Sequence, residues 1–152
     1  MESIDTLVCA RWVLPVEPDG GALEDHSVAI RDGRIVAVVP TAEARRRYDP
    51  RETRERTGHA LLPGLVNAHA NASAVLMRGR GERASTGRWL RDASRPPGQR
   101  RPDPEYVHDC SQLAAAALLR CGVTCYADAQ SWPDGAARAA SAAHIRASVG
   151  LV

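Results

Sequence analysis

The stretch of sequence that decides the fold is LLPGLVNAHANASAVLMRG, residues 61–79. An apolar run over 61–67 leads directly into a polar segment that carries His69 and Asn71. A continuous apolar run of this length is typical of a strand covered on both faces, as the strands of parallel sheets are. We therefore predict a buried strand over 61–67, with a histidine and an asparagine beyond its carboxyl end and a helix over 72–78.

The next segment is predicted to be a loop, and a helix follows it. Residues 80–101 are rich in Gly, Pro, Ser and Arg, and Trp89-Leu90 is their apolar anchor. Asp103 can cap the helix, Pro104 suits its first turn and Gly122 can end it. The apolar face of this helix is expected at helical spacing: Val107, Cys110, Ala114, Ala117, Leu118 and Cys121.

The last third of the chain continues the alternation of helix and strand. VTCYAD, residues 123–128, is a second apolar strand, and Asp134 is the predicted N-cap of a helix that runs to about Ala147. SVGLV, residues 148–152, is a third strand. Strand–helix alternation of this kind predicts an α/β fold with a parallel sheet and right-handed crossovers.

The first 58 residues are predicted to be mainly β-structure. A strand is expected over 4–14, before a turn region over 15–21. Asp32-Gly33 lies between two apolar runs, which is a strong hairpin pattern because both residues tolerate a positive φ. Thr41 is the predicted N-cap of a short helix over 41–48, and residues 52–58 are predicted to return as a strand.

Composition excludes several classes of protein. Hydrophobic residues make up 44% of the chain and charged residues 25%, which indicates a globular chain and not a disordered one. Phe is absent, so the core must consist mainly of small and aliphatic side chains and is weak for the chain's length. The net charge of +2 is too small to indicate a nucleic-acid partner by itself.

No targeting or membrane pattern is visible. No stretch reaches the roughly 18 apolar residues of a membrane span, and the first residues lack the basic and apolar regions of a secretory signal. We therefore expect a cytoplasmic protein without a membrane partner. In that setting the cysteines, none in a C-x-x-C pair, are expected to be buried reduced thiols and not a zinc cluster: Cys9, Cys110, Cys121 and Cys125.

The motif LPGLVNAHAN, residues 62–71, resembles the strand-1 motif of the amidohydrolase superfamily, whose usual form is P-G-L/F-V/I-N/D-x-H-x-H. The resemblance is nearest to the branch of S-adenosylhomocysteine and methylthioadenosine deaminases, guanine and cytosine deaminases, and triazine chlorohydrolases. Weaker matches follow in the family's order: VAIRDGRIVAV at 28–38, Trp89-Leu90, LLRCGVTCYAD at 118–128 and RASVGLV at 146–152.

This resemblance implies a fold and a chemistry. Residues 1–60 would be a β-sandwich piece, and residues 61–152 would be strands 1–3 of an incomplete (β/α)8 barrel. Family members bind one or two divalent metals, zinc or iron, at the carboxyl ends of the strands, and the metal activates a water that attacks an aminopurine- or triazine-like substrate. Side chains two apart on a strand share a face, so the two histidines of H-x-H can bind one metal ion.

The chain departs from the family pattern at three points. His69 matches the first metal ligand, but Asn71 stands in place of the second, and a neutral amide binds zinc poorly compared with imidazole. The family's substrate-binding Glu has no counterpart at Gly98 or its neighbours. A full barrel needs about 250 residues, so the remaining ligands and the general acid/base would lie beyond Val152.

Other polar residues leave alternatives open. Asp128 either orients a group near the metal or bonds a loop or helix end, and Asn67 is expected to bond backbone near the strand end. The segment 78–101 holds eight Arg against Glu82 and Asp92, a net charge of +6. This segment is either an anion-binding loop or simply a solvated one.

These observations lead to one prediction of function and one alternative. The prediction is a metal-dependent hydrolase or deaminase of non-peptide C–N bonds, truncated, inactive as given and with no catalytic residue of its own. The alternative is a non-catalytic remnant or partner-dependent binding protein that uses the Arg-rich loop. In either case the open apolar edge at 149–152 predicts an oligomer or a partner chain that covers it.

Overall fold

A computed structural model of the protein describes residues 1–17, 20–77 and 103–152. The chain divides into two compact units, Met1–Pro63 and Gly64–Val152. The division falls inside the stretch 61–79. The loop predicted over 80–101, which includes Trp89-Leu90, Gly98 and most of the Arg-rich segment, lies outside the described residues.

The first unit is a four-stranded sheet with one short helix. Its elements are β1 (Glu2–Val13), β2 (Leu23–Arg31), β3 (Arg34–Pro40), α1 (Thr41–Arg47) and β4 (Tyr48–Leu61). The strand order is β3-β2-β1-β4. β2 is antiparallel to both of its neighbours, whereas β1 and β4 pair in parallel. A sandwich requires a second facing sheet, so the β-sandwich assignment of residues 1–60 stays a prediction.

The hairpin between β2 and β3 forms where the sequence predicts it. Asp32 and Gly33 have φ values of 53° and 69°, as expected for a two-residue turn in which both central residues are left-handed. The Asp5 carboxylate accepts a hydrogen bond from the Asp32 backbone N–H at 2.7 Å. The turn is therefore fixed both by its own residues and by β1.

The predicted N-cap of α1 is wrong. Pro40, and not Thr41, occupies the cap position, and no side chain bonds the first turn of the helix. The Thr41 hydroxyl instead lies 2.8 Å from the hydroxyl of Ser27, which is fully buried. A buried hydroxyl needs a partner, and Thr41 satisfies that requirement.

The second unit alternates strand and helix. Its elements are β5 (Leu65–Asn67), a 3₁₀ helix (Ala72–Met77), α2 (Pro104–Arg120), β6 (Val123–Gln130), α3 (Pro133–Ala142) and β7 (Arg146–Leu151). The sheet order is β5-β6-β7, and both pairings are parallel. The mixed α/β class and the parallel sheet are thus confirmed. The closed barrel stays a prediction.

The strand predicted over 61–67 is shorter and less buried than expected. Leu61 ends β4, and β5 begins only at Leu65. Gly64 approaches β6 so closely that a Cβ atom there would overlap the Thr124 side chain. Leu65 and Val66 are 53% and 68% exposed, so the expectation of a strand covered on both faces is wrong for the residues that the structure describes.

The helix α2 begins as predicted, but the last residue of its predicted apolar face is not buried. The Asp103 side chain accepts a hydrogen bond from Tyr106 N at 2.8 Å, and Pro104 opens the helix. Val107, Cys110 and Ala114 are buried, but Cys121 is exposed because it follows the last helical turn. The expectation of four buried thiols therefore fails at Cys121, and Cys125 is only partly buried.

Two further helix predictions need correction. Asp134 lies in the first turn of α3 but makes no cap, since Trp132 holds that position without a side-chain bond. The helix ends at Ala142, where His144, with a φ of 52°, reverses the chain so that Ile145 N bonds Ala140 O. The left-handed conformation of His144 therefore ends the helix several residues before the predicted end near Ala147.

Candidate functional site

The segment after β5 returns against the end of β6. The side chain of Asn67 accepts a hydrogen bond from His69 N at 3.1 Å, so it bonds backbone as expected. Ala70 N then donates to Ala127 O at 2.7 Å. These contacts hold the segment that carries the histidine beside the carboxyl end of the neighbouring parallel strand.

Asn71 begins the 3₁₀ helix. Its backbone oxygen accepts from Ala74 N at 3.1 Å, and its side-chain oxygen accepts from the Ser73 hydroxyl at 3.2 Å. Both acceptors therefore have local partners that belong to the start of the helix. Asparagine is a favoured residue at such positions because its short side chain can bond groups of the following turn.

Asp128 lies in β6 with 7% of its surface exposed. One carboxylate oxygen accepts from Ala72 N at 3.2 Å and from the Gln130 amide at 2.9 Å, and the other accepts from Ala129 N at 2.9 Å. A buried carboxylate requires such donors. Of the two roles left open for Asp128, the structure supports the one in which it bonds a loop and a helix start.

Gln130 was not predicted to be a residue of the site. It is 3% exposed and its amide donates to Asp128. Tyr126, at 1% exposed, lies on the same face two residues before Asp128. The alternation of these polar side chains along β6 is the pattern that could have indicated one buried face.

The metal site is incomplete in the part of the chain that the structure describes. His69 is exposed and lies two residues beyond β5. Catalytic zinc sites use three protein ligands and one open position, but within residues 1–17, 20–77 and 103–152 no three His, Cys, Asp or Glu side chains form such a group. These residues therefore do not fit a metal by themselves, and no metal-dependent step follows from them.

Nearly the whole of this chain is similar to part of several known proteins. A 5-methylthioadenosine/S-adenosylhomocysteine deaminase of Saccharophagus degradans is 38% identical over 145 residues, which is 95% of this chain and 32% of the relative. The chain is homologous to the N-terminal part of amidohydrolase deaminases. It spans about a third of the length of the curated relatives it matches. No protein-family model matches the sequence.

Solved structures agree with this homology. The structure of an adenosine deaminase from Xanthomonas campestris with bound zinc matches 96% of this chain with a TM-score of 0.86 and 39% identity, and 33% of that structure is covered. A zinc complex of an atrazine chlorohydrolase from Arthrobacter aurescens TC1 matches 96% of the chain with a TM-score of 0.76, and 35% of that structure is covered. Its identity of 22% shows a shared fold only.

The zinc bound in the Xanthomonas campestris structure supports a divalent metal in the family. The resemblance inferred from the motif at 62–71 is thereby confirmed at the level of the family. The helices in the described part of this chain include none with the length and hydrophobicity of a membrane span.

Proposed function

We propose that the protein derives from a metal-dependent hydrolytic deaminase that acts on non-peptide C–N bonds of small aminopurine- or triazine-like substrates. Residues 1–60 would supply a β-sandwich piece and residues 61–152 the first three strands of a (β/α)8 barrel. His69 would be a ligand of the metal, zinc or iron. Residues 1–152 by themselves would have no deaminase activity.

The position of His69 is the observation that supports this proposal. It follows β5 at the carboxyl edge of a parallel sheet, beside the carboxyl end of β6. In barrels of this type the functional side chains lie at that edge. The identity of 39% to a zinc-bound deaminase adds weight to the assignment of His69.

Asn71 is the reason to expect weak metal binding. Its amide oxygen is a weaker metal ligand than imidazole, and it already accepts a hydrogen bond from the Ser73 hydroxyl. Zinc binding by Asn71 would therefore use a weaker donor atom that already accepts one hydrogen bond. We accordingly treat Asn71 as a degenerate ligand position.

Zinc titration of the purified protein by calorimetry tests the proposal. We expect Asn71→His to bind zinc at least roughly tenfold more tightly than the natural sequence, because a second imidazole then shares the ion. Adding His69→Ala to that variant should remove the gain. His59→Ala, which removes an exposed histidine of β4, is the matched control and should change nothing.

Two outcomes would contradict the proposal. If Asn71→His gains no affinity for zinc, His69 does not lie where a shared ion could bind. If residues 1–152, with or without Asn71→His, release ammonia from 5-methylthioadenosine or S-adenosylhomocysteine in a zinc-dependent way, then the expected inactivity is wrong and the ligand set must be sought within this chain.

A non-catalytic binding protein is the second candidate. The observation that favours it is the local role of Asn71, whose side chain and backbone both serve the start of the 3₁₀ helix. In this case the Arg-rich segment 78–101 would bind an anionic partner through its charge. Salt-dependent retention on a heparin column, lost when four of its Arg are changed to Gln, would favour this candidate over the first.

A further inference from the structure

We propose that Asp128 is a positioning residue that fixes the backbone of residues 69–72 against β6. Its effect on metal binding rests on the function proposed above, whereas its effect on the backbone does not. Asp128 would act through the Ala72 N–H and would touch neither metal nor substrate.

Two hydrogen bonds join this segment to β6, one on each side of Asn71. Ala70 N donates to the backbone oxygen of Ala127, and Ala72 N donates to the carboxylate of Asp128. The first bond is available to any residue at position 127, but the second depends on the side chain at 128. Asp128 therefore determines whether the segment is held at one point or at two.

The carboxylate is itself held in place. Gln130 donates to the same oxygen that accepts Ala72 N, and Ala129 N bonds the other oxygen. Asp128, Gln130 and Ala72 are at most 7% exposed, so water is a poor substitute for any of these partners. A buried, fully bonded acceptor of this kind restricts the donor to a narrow range of positions.

A carboxylate is also the side chain that satisfies all three donors. Ala72 N and Ala129 N bond opposite oxygens of the carboxylate, and an asparagine has an NH₂ group in place of one of them, so it can accept from Ala72 N or Ala129 N but not both. An alanine serves neither. The three side chains therefore form a graded series for the experiment.

Amide hydrogen exchange followed by NMR on the purified protein tests the proposal. In Asp128→Ala we expect exchange at Ala72 to accelerate by roughly tenfold or more, the change that corresponds to losing one hydrogen bond to a charged acceptor. The amide of Ala70, which bonds a backbone oxygen, should accelerate less. In Asp128→Asn, which keeps the fold more easily, either Ala72 or Ala129 should exchange faster.

Asp103→Ala is the matched control. It removes another aspartate that accepts a backbone N–H at a helix start in the same unit. The control should lower stability without selective exchange at Ala72 and without a change in the ring resonances of His69. Asp128→Ala should shift those resonances, because the backbone that carries His69 moves.

The outcomes separate this inference from the proposed function. Equal protection of Ala72 and Ala70 in Asp128→Ala, or unchanged protection of both Ala72 and Ala129 in Asp128→Asn, would overturn the positioning role. Failure of Asn71→His to gain affinity for zinc would overturn the proposed function alone. If Asn71→His binds zinc, adding Asp128→Asn should weaken that binding severalfold, and an unchanged affinity would overturn the role at the metal.

Discussion

Tyr126 and Asp128 project from the same face of β6, and both side chains are buried. Burial raises the pKa of Tyr126, and the Asp128 carboxylate raises it further. Within the described part of the chain the Tyr126 hydroxyl has no hydrogen-bond partner. Among the described residues, the tyrosine therefore packs its ring in the core and leaves its buried hydroxyl without a hydrogen bond.

Replacing Tyr126 by Phe should stabilise the protein. Leaving a buried hydroxyl unpaired costs about 1–3 kcal/mol, so we expect Tyr126→Phe to raise the free energy of unfolding by about 1 kcal/mol. Urea denaturation measures the change. The control is Ser27→Ala, since the buried Ser27 hydroxyl lies 2.8 Å from the Thr41 hydroxyl and its loss should destabilise. A loss of stability in Tyr126→Phe equal to that of the control would contradict the absence of a partner.

Stability should fall at alkaline pH. Burial raises the pKa of Cys110 above its ordinary value of 9.0 and the pKa of Tyr126 above 10.0. The unfolded chain therefore ionises first as the pH rises, and the free energy of unfolding decreases from about pH 9 upward. Cys110→Ala should make this decrease shallower, whereas Cys121→Ala, which removes an exposed thiol, should not. Identical pH profiles for the two variants would contradict the assignment.

Gly64 should not tolerate a side chain. A Cβ there would overlap the Thr124 side chain, whereas a Cβ on Gly58 would meet nothing within 4 Å. We expect Gly64→Ala to destabilise by about 1–3 kcal/mol, the usual range for overpacking, and Gly58→Ala to change stability little. Thermal melts of the two variants, measured side by side, make the comparison. Equal melting temperatures would show that β5 lies farther from β6 than described.

The hairpin should depend on Asp5. Its carboxylate accepts the Asp32 N–H and lies 3.4 Å from a guanidinium nitrogen of Arg51. Asp5→Ala should lower the free energy of unfolding by about 1 kcal/mol, and Asp5→Asn by less because an acceptor oxygen remains. Arg51→Ala, which removes only an exposed ion pair, should have almost no effect. If Arg51→Ala costs as much as Asp5→Ala, the ion pair and not the hydrogen bond is responsible.

We propose that a polypeptide of residues 1–152 alone associates through the edge of its second sheet. In the residues that the structure describes, β7 pairs with β6 alone, and Leu151 and Val152 are 75% and 76% exposed. An apolar edge of this kind pairs readily with another chain. Sedimentation velocity should show concentration-dependent association that Leu151→Lys reduces, whereas Leu113→Lys, at an exposed position of α2, should not. Equal effects of the two variants would exclude edge pairing as the cause.

The sequence predicted the features that depend on local patterns. The Asp32-Gly33 hairpin and the start of α2 at Asp103 were correct because turn and cap residues act on their immediate neighbours. The motif around His69 was sufficient to predict the family, because its residue types and their spacing are specific. The parallel direction of the strands in the second unit also followed from the alternation of elements.

Several of the errors concern residues whose environment depends on a partner distant in sequence. Thr41 was predicted to cap its own helix, but the buried hydroxyl of Ser27 competes for it. Exposure of Leu65 and Val66 depends on what lies against the sheet, which periodicity does not reveal. The contact of Asp128 with Ala72 joins residues far apart in sequence, so no local pattern could have chosen between its two possible roles.

The parallel pairing of β1 with β4 has a consequence for how the first unit folds. The hairpin of β2 and β3 closes over a two-residue turn, which is a microsecond event for an isolated hairpin. β4 can join β1 only after the chain between them, which includes β2, β3 and α1, has been brought into a closed loop. Because such non-local pairing slows folding, the docking of β4 is expected to be the late, rate-limiting step. The last residues of β4 lead directly into the segment that carries His69.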